Sequence, residues 1–302
     1  MSGHPIRLDH VGLTVADLTR TAEFYVDALG FERVGGPRSV SSDFMTTIGL
    51  GKKHATAQRL RLGLQEIELV AFGPPGRPYP EGSTAADLWF QHLAIVTNDM
   101  ANAYARVKAN GTATAITQFG PQLLPPASGG VTAWKFRDPD GHPLELIQFP
   151  PGGGPAVWHD APPHTATIGI DHSAISVADI ARSTAFYEGV LGLVPGPPQI
   201  NRGMAQERLD AVPDATAGVA ALTPPGAATP HLELLGYLTP RGRAMPSDMR
   251  ADDIAASRLV FAVHDPTMFA STAGAEPTSP SPEKSRLLLR DPDGHFIVLT
   301  RP

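Results

Sequence analysis

Four polar residues interrupt otherwise apolar, strand-like segments of this 302-residue chain: His10 in LDHVGLTV, Glu68 in EIELVAF, His92 in HLAIVTND and Glu145 in PLELI. A buried polar group without a partner costs on the order of 1 to 3 kcal/mol or more, so each of these residues needs a reason to be there. The chain contains no cysteine, which excludes disulfides, thiolate metal sites and thiol nucleophiles; any metal must be held by nitrogen and oxygen. Two imidazoles and two carboxylates with room for two waters make a six-coordinate divalent site, suited to nickel, cobalt, manganese, iron or zinc. Strand alternation puts Leu64, Glu66 and Val70 on the face of Glu68, and Gly12 and Thr14 on the face of His10, so Glu66 is a further carboxylate at the edge of the expected site.

These residues are placed by an internal repeat. Leu8 to Gly30 (LDHVGLTVADLTRTAEFYVDALG) aligns without a gap with Ile170 to Gly192 (IDHSAISVADIARSTAFYEGVLG). Further on, EIELVAF (66–72) corresponds to HLELLGY (231–237), Gly76-Arg77 to Gly242-Arg243, and RDPDGH at 137–142 recurs unchanged at 290–295. Within the first half, HLAIVTND restates the plan of HVGLTVAD. Each half therefore reads as two modules. An alternating strand leads to an Asp or Thr cap and a helix (Leu18 to Leu29; Met100 to Asn110), then to short strands divided by Gly and Pro, which predicts βαβββ four times. His10 and Glu68 hold the first and last strands of module one, His92 and Glu145 those of module two, and a pseudo-twofold pairing of two curved sheets would gather all four in one concavity. Asp138, Asp140 and His142 are read as hairpin-turn residues rather than ligands, because Asp-Pro-Asp-Gly between strands is strong turn chemistry.

Residues 1–150 and 167–302 are expected to be two domains joined by a Pro-Gly-rich linker, 151–166. The net charge of −6 offers no basic field for a nucleic-acid backbone or an anionic membrane, which leaves small molecules or proteins as partners. No signal-peptide pattern opens the chain and no apolar run reaches the ~20 residues of a membrane span, so a cytoplasmic location is expected.

The patterns DHVGLTVAD…FYVDALGF, IELVAF, QHLAIV and FRDPDGHPLELI resemble the vicinal oxygen chelate superfamily, which includes glyoxalase I, methylmalonyl-CoA epimerase, extradiol dioxygenases and the fosfomycin and bleomycin resistance proteins. The resemblance implies an α+β fold of two tandem glyoxalase-like domains, each of two βαβββ modules forming a curved mixed sheet around a cavity. It places one divalent metal ion on His10, Glu68, His92 and Glu145 in the N-terminal domain. In the second half His172 and Glu233 persist, but Arg258 and Val298 replace the counterparts of His92 and Glu145, so that site is expected to be degenerate, with Arg258 free to pair with Glu233.

The activity implied is that of a glyoxalase-like lyase, isomerase or epimerase on a small molecule that chelates the metal through adjacent oxygens, with Glu145 or Glu68 moving a proton next to a carbonyl. The tandem layout also resembles iron-dependent ring-cleaving dioxygenases, which would use His10, His92 and Glu145. A third reading is a binding or resistance protein that holds an aromatic compound between Trp89, Phe90, Trp134 and Phe136; Trp134, Phe136 and Glu66 are the substrate-contact candidates. Arg20, Arg59, Arg61 and Arg77 could each meet a substrate carboxylate, though solvation at the surface is the simpler role for them. A monomer and a homodimer are equally compatible with the duplication.

Overall fold

The computed structural model describes residues 5–162, 164–225, 229–272 and 283–302. The first module comprises β1 (Pro5–Val15), α1 (Leu18–Leu29), β2 (Glu32–Ser39), α2 (Ser42–Thr47), β3 (His54–Leu62) and β4 (Gln65–Gly73). The second has β5 (Gln91–Val96), α3 (Met100–Asn110), β6 (Thr114–Ala115), β7 (Gln122–Leu123), β8 (Thr132–Arg137) and β9 (Pro143–Gln148). The third has β10 (Gly169–Ser176), α4 (Ile180–Leu191), β11 (Val194–Pro195), β12 (Gln199–Arg202), α5 (Met204–Asp210), β13 (Thr216–Thr223) and β14 (His231–Thr239). In the fourth, β15 (Arg258–Val263), β16 (Arg286–Arg290) and β17 (Phe296–Thr300) surround, among the described residues, a 3-10 turn, Pro266–Phe269.

The repeated aspartates start the helices as their sequence position predicts. Asp17 accepts from the Arg20 amide at 3.0 Å, Asp99 from Asn102 at 3.0 Å and Asp179 from Arg182 at 3.1 Å. The RDPDGH segments are turns whose aspartates tie strand to helix. The Asp138 carboxylate accepts from the amides of Asp140 and His142, both at 2.9 Å, and the buried Tyr25 hydroxyl donates to it at 3.3 Å. Tyr187 does the same for Asp291 at 3.1 Å.

The fold is α+β with two mixed sheets, but the sheets do not follow the two halves of the sequence. One runs β16-β17-β15-β1-β4-β3-β2 and so joins modules one and four. The other runs β11-β13-β14-β10-β5-β9-β8-β6, with β12 on β13 and β7 on β8, and joins modules two and three. β1 lies antiparallel to β15, His10 opposite Val260; β10 lies antiparallel to β5, His172 opposite Ala94.

The segments 74–90 and 240–257, which cross from sheet to sheet, grip one another about a pseudo-twofold. Arg77 forms a fork on Asp253 with a closest approach of 2.6 Å, and Arg243 a matching fork on Asp87 at 2.8 Å. A Cβ on Gly76 would stand 2.2 Å from the Asp252 carbonyl oxygen, and one on Gly242 1.8 Å from that of Ala86. The recurring Gly-Arg pair is thus a docking device: a residue without a side chain permits backbone contact, and the next closes it with charge.

Candidate metal centre

Because β5 and β10 are neighbours, the module-two residues His92 and Glu145 meet the module-three residues His172 and Glu233. Ala174 is opposite His92 across the antiparallel pair and beside Glu233 on β14, while Ala94 is beside Glu145 on β9. The small alanines leave the imidazoles room to converge. Nε2 of His92 lies 3.1 Å from Oε2 of Glu145, which is 3.9 Å from Nε2 of His172, which in turn is 3.4 Å from Oε2 of Glu233. Donor atoms of His92, Glu145 and His172 all lie within 4.8 Å of one another, and all three residues are buried.

These donors approach without satisfying each other. Both ring nitrogens of His92 and Nε2 of His172 are buried with no hydrogen-bond partner among the described residues, although His92 Nε2 is only 3.1 Å from Glu145. Close nitrogen and oxygen atoms aimed past one another are costly as a polar network and natural as ligands of a common cation. On the far side of its ring, His172 Nδ1 is 2.9 Å from Asp171, which fixes the orientation of that imidazole.

The electrostatics agree. Burial would raise Glu145, but the Lys135 ammonium and the imidazoles outweigh it and hold the carboxyl down to about 2. Glu233 is likewise held at about 2, chiefly by His172 against the effect of burial. His172 is raised to about 9: burial opposes its charge, but Glu233, Asp171 and Glu145 overcome that. His92 is lowered, by burial first. An anionic pocket that draws a proton onto one imidazole is one that a divalent cation would fill, with release of that proton.

The four ligands expected from the first half are therefore not one set. His10 and Glu68 lie in the other sheet, 4.0 Å apart at Nε2 and Oε2, and the module that faces them is the fourth. There Glu68 takes a hydrogen bond from Arg38 and another from Arg59 at 3.2 Å, and His10 Nδ1 is 2.9 Å from Asp9. Arg258 is 1 % exposed and lies in this sheet opposite Gly12 of β1, not beside Glu233; its Nη1 donates to Thr14 Oγ1 at 2.8 Å and to the carbonyls of Ala251 and Ala256. Burial pushes it down to about 10, which leaves it charged at neutral pH and hostile to a cation.

The substrate-contact candidates also fall elsewhere. Trp134 and Phe136 stack on each other at 4.6 Å inside the hydrophobic core, 1 % and 0 % exposed, on the face of β8 away from the cavity. Alternation instead turns Lys135 into the cavity, where its ammonium is 2.7 Å from Asp210. Trp89 and Phe90 lie in two different apolar clusters, so the four aromatics form no common wall. Glu66 is bound by Arg59 at 3.1 Å and Arg61 at 2.6 Å, in the sheet of the degenerate pocket. The other two arginines are engaged as well, Arg20 with Asp140 and Arg77 with Asp253. The repeat held the signal for His172 and Glu233, and the alternation around Trp134 held the signal for Lys135.

Residues 7–146 match the family described as the Glyoxalase/Bleomycin resistance protein/Dioxygenase superfamily. The chain is 28% identical to a lactoylglutathione lyase of Arabidopsis thaliana over 190 residues, which are 62% of this chain and 55% of that protein. It is 32% identical to a virulence protein of Salmonella typhimurium over 146 residues, 47% of this chain and 84% of the relative. The chain thus spans about half the length of the plant relative and most of the bacterial one. Among solved structures, glyoxalase I from Zea mays superposes with a TM-score of 0.61 at 19% identity, covering 98% of this chain and 92% of that one, a likeness of fold. With the duplicated strands, the paired sheets and this sequence match in agreement, the chain belongs to the glyoxalase/bleomycin resistance/dioxygenase superfamily, the vicinal oxygen chelate proteins.

Proposed function

We propose that the protein is a metal-dependent enzyme that acts as a glyoxalase-like lyase or isomerase on a small molecule with two adjacent oxygens. The observation that carries this reading is the convergence of buried His92, Glu145 and His172, with the half-buried Glu233 beside His172 and imidazole nitrogens left unpartnered. These four residues would hold one divalent ion; when bound, it supplies Lewis acidity toward adjacent substrate oxygens. Glu145 and Glu233 are ionised at neutral pH and stand on opposite sides of the cluster, so either can take a proton from a carbon next to a carbonyl and return it. Glu233 takes the part expected of Glu68. Burial of the cluster limits the water that could compete for the proton.

The mutual proximity of His92, Glu145 and His172 also supports a second reading, an iron-dependent ring-cleaving oxygenase, because two imidazoles and one carboxylate are a set that suits non-haem iron. Elemental analysis of untagged protein tests both. About one equivalent of nickel, cobalt, manganese or zinc, lost in His92→Ala and Glu145→Ala, supports acid-base chemistry; iron in the same place supports the oxygenase. Protein that takes up no metal after reconstitution would overturn both.

A further inference from the structure

Beside the ligand cluster, one wall of the same cavity of about 200 Å³ carries a polar arrangement that metal binding does not use. Asp210, at the end of α5, is 2 % exposed and accepts three hydrogen bonds: from Lys135 Nζ at 2.7 Å, Tyr237 Oη at 2.6 Å and Gln206 Nε2 at 2.6 Å. Paired with the Lys135 ammonium, Asp210 accepts from the Gln206 amide, so the end of that amide that faces it is the nitrogen. Oε1 is then turned the other way. Gln206 is 5 % exposed and lines the cavity, and its Oε1 is buried with no hydrogen-bond partner among the described residues. On the adjoining β12, Asn201 lines the same cavity and its Oδ1 is also unpartnered.

A buried carbonyl locked in place and left without a donor bears the full cost of its desolvation unless something supplies one. The charge of the wall points to the same kind of ligand. No arginine lines this cavity among the described residues, and the ammonium of Lys135 is already engaged by Asp210. Apart from the metal-ligating imidazoles, an anionic tail would find no unengaged cation among the described lining residues, whereas a hydroxyl or N–H would find an acceptor.

We infer that Gln206, aided by Asn201, is a substrate-reading subsite that selects small uncharged molecules carrying a hydroxyl or N–H donor beyond the metal-chelating oxygens. This rests on the metal-dependent reading above and narrows its substrate class. Asp210 is the positioning residue, because it holds the Gln206 amide by its nitrogen and leaves Oε1 without a partner. A site built around a buried acceptor rejects analogues that lack the donor more strongly than an apolar wall rejects a change of one methylene.

Hydroxamates supply the two adjacent oxygens, and calorimetry on the cobalt-loaded protein can compare three series with chains of one to three methylenes, ended by hydroxyl, methyl or carboxylate. The hydroxyl series should contain a member that binds at least about tenfold more tightly than its methyl and carboxylate counterparts, about the effect of one buried hydrogen bond. Gln206→Met, of similar volume, should abolish that preference while the methyl series binds as before; Asn201→Ala should reduce it and serves as a second variant if Gln206→Met does not fold. Equal binding of hydroxyl and methyl series, preference for the carboxylates, or a preference that survives in Gln206→Met would overturn the inference and leave the metal site standing. Failure to hold cobalt, with no hydroxamate bound, would overturn it together with the reading on which it rests.

Discussion

The molecule contains the same pocket twice, and the two copies have diverged in a way that isolates what a cation requires. In the sheet of modules two and three, imidazole faces imidazole and carboxylate stands beside each, with the nitrogens of His92 and Nε2 of His172 unpartnered. In the sheet of modules one and four, His10 and Glu68 keep their places, but Val298 and Arg258 occupy the opposite side, and Arg38 and Arg59 neutralise Glu68. The backbone scaffold is shared. The difference teaches that the fold supplies a concavity with four matched positions, and that a pair of side chains on the facing module decides whether it can hold a cation.

The sharpest way to break this comparison is to remove one histidine from each copy. His172→Ala should weaken metal affinity by more than about a hundredfold, since even residues that only orient ligands are worth 10 to 100-fold. His10→Ala should leave it unchanged, and competition with a chromogenic chelator reads both. Equal losses would show that the copies act as one site after all. A rebuilding experiment comes next: Arg258→His combined with Val298→Glu restores the ligand set of the degenerate copy. Metal content should rise from about one to about two equivalents, and a folded double variant that stays at one would mean that the scaffold has diverged further than its side chains.

Smaller effects test which residues lie outside both pockets. Trp134→Ala should cost about 3 to 5 kcal/mol in denaturant unfolding, the usual price of a large core deletion, with metal affinity unaltered. A shift in metal or ligand affinity without loss of stability would return Trp134 to the cavity wall. Glu66→Gln should change stability by no more than about 0.5 kcal/mol and leave metal affinity alone, as expected of a partly exposed carboxylate shared by two arginines at the sheet surface.

The local architecture was readable from residue patterns because its causes are local. Asp17 and Asp99 mark helix starts by supplying an acceptor to free amides, and Asp-Pro-Asp-Gly marks turns by its own backbone preferences. Strand alternation holds as well, although its application to Trp134 and Phe136 needed the knowledge that the apolar face of β8 meets the helices and the face of Lys135 meets the cavity. The ligand types and their repeat positions were equally legible: all four residues of the cluster occupy strands that the duplication identifies.

What the sequence by itself determined is thus a set of four similar modules, each able to offer one histidine-type position and one carboxylate-type position. Which modules share a sheet was decided only by the tertiary structure. Four homologous leading strands present nearly equivalent edges for antiparallel pairing, so the pattern along the chain does not distinguish β1 with β5 from β1 with β15. The choice rests on contacts distant in sequence, where Arg77 closes on Asp253 and Arg243 on Asp87, and on two glycines that let the crossing segments touch backbone to backbone.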